Sequence, residues 1–330
     1  MVSIFQQPWW LDAATDGDWS MVESAPRSGL RASLPIYVER HRFGLQKICM
    51  PPLTRTLGPI FTEVPGAPRA SATTRMRARL QIMEDLIARL PRHVIFQQFF
   101  GPDASELLAF LLKGYEVGVS YTFRITDCAD HDAVWRRMRD KTRNVIRRAG
   151  ERFEVADGLS GTAFSSFYSA NIARRNLRPF YAPQRIAALV EAAMRRAAGT
   201  VLYCAGGDGV PVAAIFVVWD EAHLYYLMSS RDERRADNGA VSLLLWRAIQ
   251  LAGARGLDFD FDGFHLEGGA IFATQFGGEM VPRWKISYAV PLVRLRWSLR
   301  GALAQLRPAR LGLRMPALAR AVARQSAAAP

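Results

Sequence analysis

Residues 223–254 read HLYYLMSSRDERRADNGAVSLLLWRAIQLAGA, and this stretch decides the fold. His223 to Ser229 is aromatic and aliphatic and of strand length. Residues 231–239 form a polar loop, and Ala240 to Ala254 repeats apolar residues at helical spacing, with Gly256 just past its end. Leu257 to Phe261 supplies another strand. Upstream, Thr200 to Ala205 and Val212 to Trp219 read as strands. The turn Gly206 to Gly209 (GGDG) and the turn Asp220-Glu221 join them into a three-strand meander with His223 to Ser229. Two helices come before it, Gly161 to Arg175 and Pro183 to Ala198, joined by NLRPFYAP. Downstream come a glycine-rich loop, a short helix near Phe272 and a strand from Arg283 to Val290. This order predicts an α/β protein (α+β, mixed sheet) with helices on both sheet faces.

The first half shows a looser version of the same order. After an opening stretch of short strands and loops come a strand at Gly29 to Arg40 and a proline-rich loop at Met50 to Pro59. A helix at Thr74 to Leu90, a strand at His93 to Phe100 and a helix at Ser105 to Lys113 follow. Val117 to Ile125 is a strand, and Asp132 to Gly150 is a basic helix. A duplicated domain is the simplest reading.

Half of the 330 residues are hydrophobic and 22% are charged, a globular balance. The longest apolar runs, such as Val212 to Trp219, fall well short of the roughly 20 residues a bilayer requires. The opening MVSIFQQPWWLDAA lacks a basic n-region, so no secretory signal is expected. Cys49, Cys128 and Cys204 are too far apart for a zinc pattern or a disulfide framework, which fits a reducing, cytoplasmic setting. The net charge is +13, but residues 291–330 hold eight arginines and no acid or lysine, so the rest of the chain is only mildly basic.

Several clusters carry candidate chemistry. A helix start exposes unpaired N–H groups, and Asn238-Gly239-Ala240 places small residues there, with Arg231, Arg234 and Arg235 nearby. This predicts a phosphate or pyrophosphate site; the alternative is an ordinary polar loop. In Asp258 to Asp262, alternation sets Asp258, Asp260 and Asp262 on one strand face. Crowded carboxylates raise one another's pKa, which suits a general base; the alternative is a solvated face with Asp262 turning the chain before Gly263. His265 is a further acid–base candidate, although a lone histidine is more often structural, and without a second histidine no metal is expected. Lys285 is one of four lysines and follows the Gly277-Gly278 turn, which suits a point charge at an oxyanion or phosphate; a solvent-facing strand residue reads equally well. Arg136 to Arg148 carries seven bases and one acid, with Arg143 and Arg147 on one helical face, and fits phosphate, nucleic acid or simple solvation. The chain has no P-loop, dinucleotide fingerprint or Ser-His-Asp elbow.

Four runs together resemble the Fem-like branch of the GNAT acyltransferases. They are GYEVGVSYTFRITDCADHDAVWRRMRDKTRNVIRRA (114–149), SGTAFSSFYSANIARRN (160–176), the 224–252 segment, and FDFDGFHLEGGAIFATQFGGEMVPRWKIS (259–287). The resemblance implies two GNAT-like domains in tandem, an N-terminal one at 1–150 and the acyltransferase domain at 151–293, followed by the basic tail 294–330. It implies transfer of an acyl group to an amine or hydroxyl, the acceptor being a small molecule or an envelope or polysaccharide precursor. The donor would be acetyl-CoA or another acyl-CoA, or aminoacyl-tRNA as in related Fem proteins. Its phosphates would lie at Arg235, Asn238, Gly239, Ala240 and Val241; Asn238 stands where the GNAT signature has its central glycine. The same resemblance implies that a backbone N–H near Tyr226, Leu227 and Met228 polarises the donor carbonyl. It assigns Asp260 or Asp262 as the proton acceptor, Tyr225 or Tyr226 as the proton donor to the leaving group, and Lys285 to the developing charge. It makes the loop Asn176 to Tyr181 a lip for the acceptor, with Arg143, Arg147 and His265 on the acceptor side.

Two rival readings remain at this level. One is a non-catalytic GNAT-like module that binds a nucleotide-linked sugar or a protein partner, which the altered glycine signature favours. The other is RNA binding, tRNA included, through residues 136–148, with steep salt dependence. The expected location is cytoplasmic, with the tail 294–330 offering peripheral contact at the inner membrane face.

Overall fold

The computed structural model describes residues 2–40, 44–66, 71–104, 106–206, 209–235, 239–263 and 267–293. The tail from residue 294, and Asn238 and His265 among the expected site residues, lie outside the described residues. The chain divides into two compact units: residues 1–19, 51–56 and 120–283, and residues 20–50, 57–119 and 284–330. The boundary expected at residue 150 falls inside the first unit.

The first unit opens with a short 3-10 turn, Ile4–Gln6, and a helix, α1 (Pro8–Thr15). The opening stretch is therefore helical where strands and loops were expected. Pro8 stands at the first helical position, where its fixed φ costs nothing, and α1 buries Trp10, Leu11 and Ala14.

The second unit holds β1 (Trp19–Glu23, from its second residue), β2 (Leu30–Arg40), β3 (Gln46–Cys49), β4 (Ile60–Glu63), α2 (Ala72–Ala88), β5 (Ile95–Phe100) and α3 (Leu107–Leu112). β2 runs antiparallel to β3 and β4, and β3 runs parallel to β5. A parallel pair needs a crossover, and α2 supplies it. Its buried Ile82, Met83 and Leu86 join Ile36, Ile48, Phe96 and Phe110 in this unit's core.

The chain returns to the first unit along β6 (Glu116–Ile125). α4 (His131–Arg137), α5 (Asp140–Gly150), β7 (Val155–Asp157), α6 (Gly161–Arg174), α7 (Pro183–Arg195), β8 (Gly199–Ala205) and β9 (Pro211–Trp219) follow. Then come β10 (His223–Arg231), α8 (Gly239–Ala254), β11 (Asp258–Asp260), α9 (Glu267–Thr274) and β12 (Glu279–Ala289). The strand–loop–helix–strand reading of 223–261 holds, as do the two helices before the meander. The single basic helix expected at 132–150 is two helices, broken where Met138 turns to an extended ψ of 149° and buries its side chain. No glycine or proline marks that break in the sequence.

In this unit β7, β8, β9 and β10 pair antiparallel in order, β10 and β11 run parallel with α8 as crossover, and β11 pairs antiparallel with β6. Leu244, Leu245, Ala248, Ile249 and Ala252 of α8 pack with Ile215, Val217 and Phe259 of the sheet. Each unit takes a strand from beyond the other's helices: β6, which follows α3, pairs with β11, and β12, which follows α9, pairs with β5 through Trp284 to Ala289. For this reason the units interleave along the chain.

Candidate active site

The site lies in the first unit, where β10 and β11 stop pairing. Their parallel register runs from His223↔Asp258 to Tyr225↔Asp260 and ends there, while β10 continues to Arg231. On its other edge β10 pairs Tyr226 with Val217 and then Met228 with Phe216, so Leu227 is an extra residue. Such a bulge takes the residue's N–H out of the ladder and leaves it to serve something else. The Leu227 carbonyl accepts a hydrogen bond from Arg55 Nη2 at 3.0 Å.

Arg55 also reaches the end of β11, where its Nε pairs with Asp262 Oδ2. The Asp262 carboxyl is 2% exposed and also meets Arg283 Nη1 at 3.4 Å. Asp262 sits at a φ of 62°, and Gly263 follows at 80°. Two left-handed residues in a row turn the chain off the strand and carry the Asp262 side chain inward. The left-handed φ favours glycine there, and a Cβ would push aside the end of the Arg283 guanidinium.

Asp260 anchors this turn. Its Oδ1 accepts from Thr122 Oγ1 at 2.6 Å and from the Asp262 N–H at 2.7 Å. Its Oδ2 accepts from Arg124 Nη2 at 3.1 Å and Nε at 3.3 Å. Thr122 Oγ1 in turn accepts from the Gly263 N–H at 2.9 Å. Both Asp260 oxygens are thus engaged, and the residue positions the turn. Burial pushes the Asp262 carboxyl up to about 7, against the pull of Arg55 and Arg283. Burial works against the Arg55 guanidinium, but Asp262, Tyr181 and Tyr226 hold it above its ordinary value. The cluster thus sets three guanidiniums, Arg55, Arg124 and Arg283, against two carboxylates.

Tyr226 lies beside this cluster. Its hydroxyl donates to Ser229 Oγ at 2.5 Å, and burial raises its pKa. Met228 is buried in β10. At the opening of α8, Gly239 and Ala240 are buried and Val241 is half-buried, while Arg235 is exposed at the end of the 3-10 turn Glu233–Arg235. Asn176, at a φ of 54°, ends α6, and Tyr181 lies edge-on to Phe180, 4.8 Å between ring centres.

Two expected acceptor residues are occupied elsewhere. Arg143 Nη1 donates to the carbonyls of Trp135, Arg136 and Met138 at 3.3, 3.0 and 3.1 Å, closing the α4–α5 corner, and its Nη2 pairs with Asp140. Arg147 stacks over Trp135, 5.4 Å from the ring centre. These contacts make Arg143 part of the fold. Lys285 belongs to the second unit, opposite Phe99 in the β12–β5 register. Sequence reasoning passed over Arg55, Thr122, Arg124 and Arg283. Arg124 and Thr122 share a strand face, as do Arg283 and Lys285, so alternation offered three of them; Arg55, in the proline-rich loop, gave no signal.

A parallel strand pair spanned by a helix, present in both units and diverging at a bulge in the first, defines a tandem GNAT fold. Residues 132–270 match the family described as Acetyltransferase (GNAT) domain, and the fold is that of Fem-like GNAT proteins. The crystal structure of FemX superposes with a TM-score of 0.65 at 11% identity, covering 88% of this chain and 94% of that one. L-PGS from Bacillus licheniformis gives a TM-score of 0.53 at 12% identity, covering 91% and 98%. The C-terminal domain of a protein designated as a lysylphosphatidylglycerol synthetase from Agrobacterium fabrum gives 0.52 at 13%, covering 89% and 96%. At these identities the likeness is one of fold. No curated protein sequence matches the chain.

Proposed function

We propose that the chain moves an acyl or aminoacyl group from an activated ester or thioester to an amine or hydroxyl on an anionic acceptor, such as a phosphorylated envelope or glycan precursor. The observation that carries this reading is the unladdered Leu227 N–H in the same cluster as the buried Asp262 carboxyl, both joined to Arg55. Leu227 N–H donates to the acyl carbonyl oxygen and stabilises the charge it gains. Asp262, raised to about 7, accepts the proton that the nucleophile loses as its bond to the acyl carbon forms. Tyr226 returns a proton to the atom that leaves. Asp260, Thr122 and Arg124 hold the turn, and the surplus guanidinium charge favours an acceptor bearing phosphate or carboxylate.

Two features support a phosphate-bearing donor: Leu227 is the extra residue of the β10 bulge, and α8 opens with the small residues Gly239 and Ala240. Gly239, Ala240 and Val241 would hold the donor's phosphates at the positive end of α8. The GNAT family match supports an acyl-CoA donor, and the fold likeness to a designated lysylphosphatidylglycerol synthetase supports an aminoacyl ester. Thermal melting of the full chain with acetyl-CoA, free coenzyme A and aminoacyl-tRNA separates them. One donor class should raise the midpoint, and Val241→Asp should suppress that rise; no rise with any of the three would end the reading.

A further inference from the structure

Arg55 meets both the Leu227 carbonyl and the Asp262 carboxyl from a loop outside any helix or strand. A side chain this long settles on two partners at once only when its backbone is held. The hold begins in the tight turn before it. The Thr54 N–H donates to the Pro51 carbonyl at 3.2 Å, and the turn runs through Leu53 at a φ of 55°. A left-handed backbone disfavours leucine, and glycine or asparagine is the usual residue at such a place. Leu53 is nevertheless 1% exposed. A strained residue in a fixed place needs surroundings that impose the strain.

Trp10 of α1 supplies part of them. Its indole Nε1 donates to Thr54 Oγ1 at 3.0 Å in buried surroundings. Thr54 Oγ1 in turn donates to the Pro52 carbonyl at 3.2 Å, which pins the backbone on both sides of Leu53. Trp10 is itself fixed. It is fully buried and meets Phe5 edge-on, 5.3 Å between ring centres, and Phe5 lies 4.9 Å from Tyr225 of β10. Tyr225 precedes the Leu227 bulge on that strand. The N-terminal segment thus ties the Arg55 loop to the strand whose carbonyl Arg55 meets, all within the first unit. A buried indole N–H needs an acceptor in any protein, but here the acceptor is the neighbour of Arg55.

We propose that Trp10 is a positioning residue for the site: through the Thr54 hydroxyl it holds the left-handed Leu53 turn, and that turn delivers Arg55 to Asp262 and to the Leu227 bulge. This inference deepens the acyl-transfer reading and rests on it for what the placed Arg55 does in turnover. Without the indole N–H the turn keeps its Pro52 contact but loses its tie to α1. Leu53 then relaxes toward a right-handed φ, and Arg55 withdraws from both partners.

Three substitutions in the full chain test this. Trp10→Phe removes the N–H and keeps a ring in the core. Thr54→Val removes the acceptor and keeps the shape, and Thr54→Ser restores the hydroxyl. Melting followed from acid to alkaline pH reads the placement of Arg55 without any substrate. The groups facing the Asp262 carboxyl are Arg55, Arg283 and Asp260, with Tyr181 and Tyr226 beside Arg55. Arg55 draws that carboxyl down, so its withdrawal lifts the carboxyl above about 7. The stability that protonated Asp262 lends is lost as pH rises through its folded value. The decline in melting temperature, complete near pH 7 in the parent, should therefore run about one pH unit further in Trp10→Phe and Thr54→Val, but not in Thr54→Ser. With Asp262→Asn in the background the extension should vanish. In turnover, kcat should fall about tenfold in Trp10→Phe and Thr54→Val and stay near the parent value in Thr54→Ser. A folded Trp10→Phe whose decline ends where the parent's does overturns the proposal. So does an extension that survives Asp262→Asn, or an unchanged kcat in Trp10→Phe. A parent chain that transfers no acyl group ends the acyl-transfer reading instead, and the melting profiles still decide whether Trp10 places Arg55.

Discussion

The two units share one plan and differ at the place where a GNAT fold does its work. In the first, β10, α8 and β11 form the strand–helix–strand crossover, and β10 carries the Leu227 bulge. In the second, β3, α2 and β5 form it, with the register Lys47↔Ile95 and Ile48↔Phe96 unbroken. α2 is capped by its own chain, Ser71 Oγ accepting from the Thr74 N–H, and α8 opens on the small residues Gly239 and Ala240. The first unit's strand end is an ion network of Asp260, Asp262, Arg55, Arg124 and Arg283; the second buries aromatics, with His93, Phe96, Phe110 and Tyr115 in mutual contact. One copy of the plan buries an ion network at its strand end, and the other buries aromatic rings.

The largest expected break in this comparison is Asp262→Asn. Loss of a positioned base costs about 10²–10⁴ in kcat. The parent's kcat/KM should climb about tenfold per pH unit below about 7 and level off above it, and the variant's should be flat across that range. Stability runs the other way. Folding raises Asp262 from 3.8 to about 7, so the fold retains a proton that the unfolded chain releases. That contribution is complete below the unfolded value and is lost as pH rises through about 7. Melting followed from acid to neutral pH should show the decline in the parent and lose it in Asp262→Asn. A rate profile that keeps its shape in the variant removes Asp262 from the chemistry.

Proline at matched strand positions sharpens the contrast. Leu227→Pro deletes an N–H that the ladder does not use, so the variant should fold with little change in melting, and kcat should drop by about 10²–10³. Ile48→Pro deletes an N–H inside the second unit's parallel pair and should prevent folding. Full activity in Leu227→Pro would show that this N–H does nothing for the acyl carbonyl.

Buried polar groups extend the contrast to stability. Asp260→Ala leaves Arg124 and the Asp262 turn without an acceptor and should cost roughly 3–5 kcal/mol by denaturant unfolding. Gln98→Leu, in the second unit, loses one hydrogen bond from Nε2 to the Pro35 carbonyl at 3.0 Å and should cost about 1 kcal/mol. Equal losses would mean that the ion network is no more demanding than an ordinary buried amide.

What the sequence revealed follows from the range of the forces involved. Periodicity and turn residues are local, so β10, α8, β11 and the α6–α7 pair could be read directly. The aspartates of 258–262 could be picked out, but their division of labour could not. Alternation put Asp260 and Asp262 on one face, whereas the left-handed φ of Asp262 turns it off the strand, and only Thr122 and Arg124 show that Asp260 is the anchor. Arg55 lies 207 positions before Asp262 in a loop rich in proline, a pairing that no local pattern encodes. The split between α4 and α5 depends on Arg143 capping carbonyls across the corner, again a tertiary effect. The interleaving of the units was hidden because a strand's run of apolar residues does not say which sheet it joins.

The smallest expected effect tests the helix openings. Val241 stands in the first turn of α8 and is half-buried. An aspartate there suits the positive end of the helix, so Val241→Asp should cost α8 little. The same charge would repel donor phosphates, and donor KM should rise about tenfold with kcat nearly unchanged. In the second unit, Thr74→Asp places a carboxylate in the first turn of α2, which is exposed and already capped by Ser71, and donor KM should stay at the parent value. A tenfold rise in both variants would point to a general charge effect on a polyanionic donor, and a rise in neither would remove the α8 opening from the site and leave Leu227, Tyr226 and Asp262 to account for the chemistry alone.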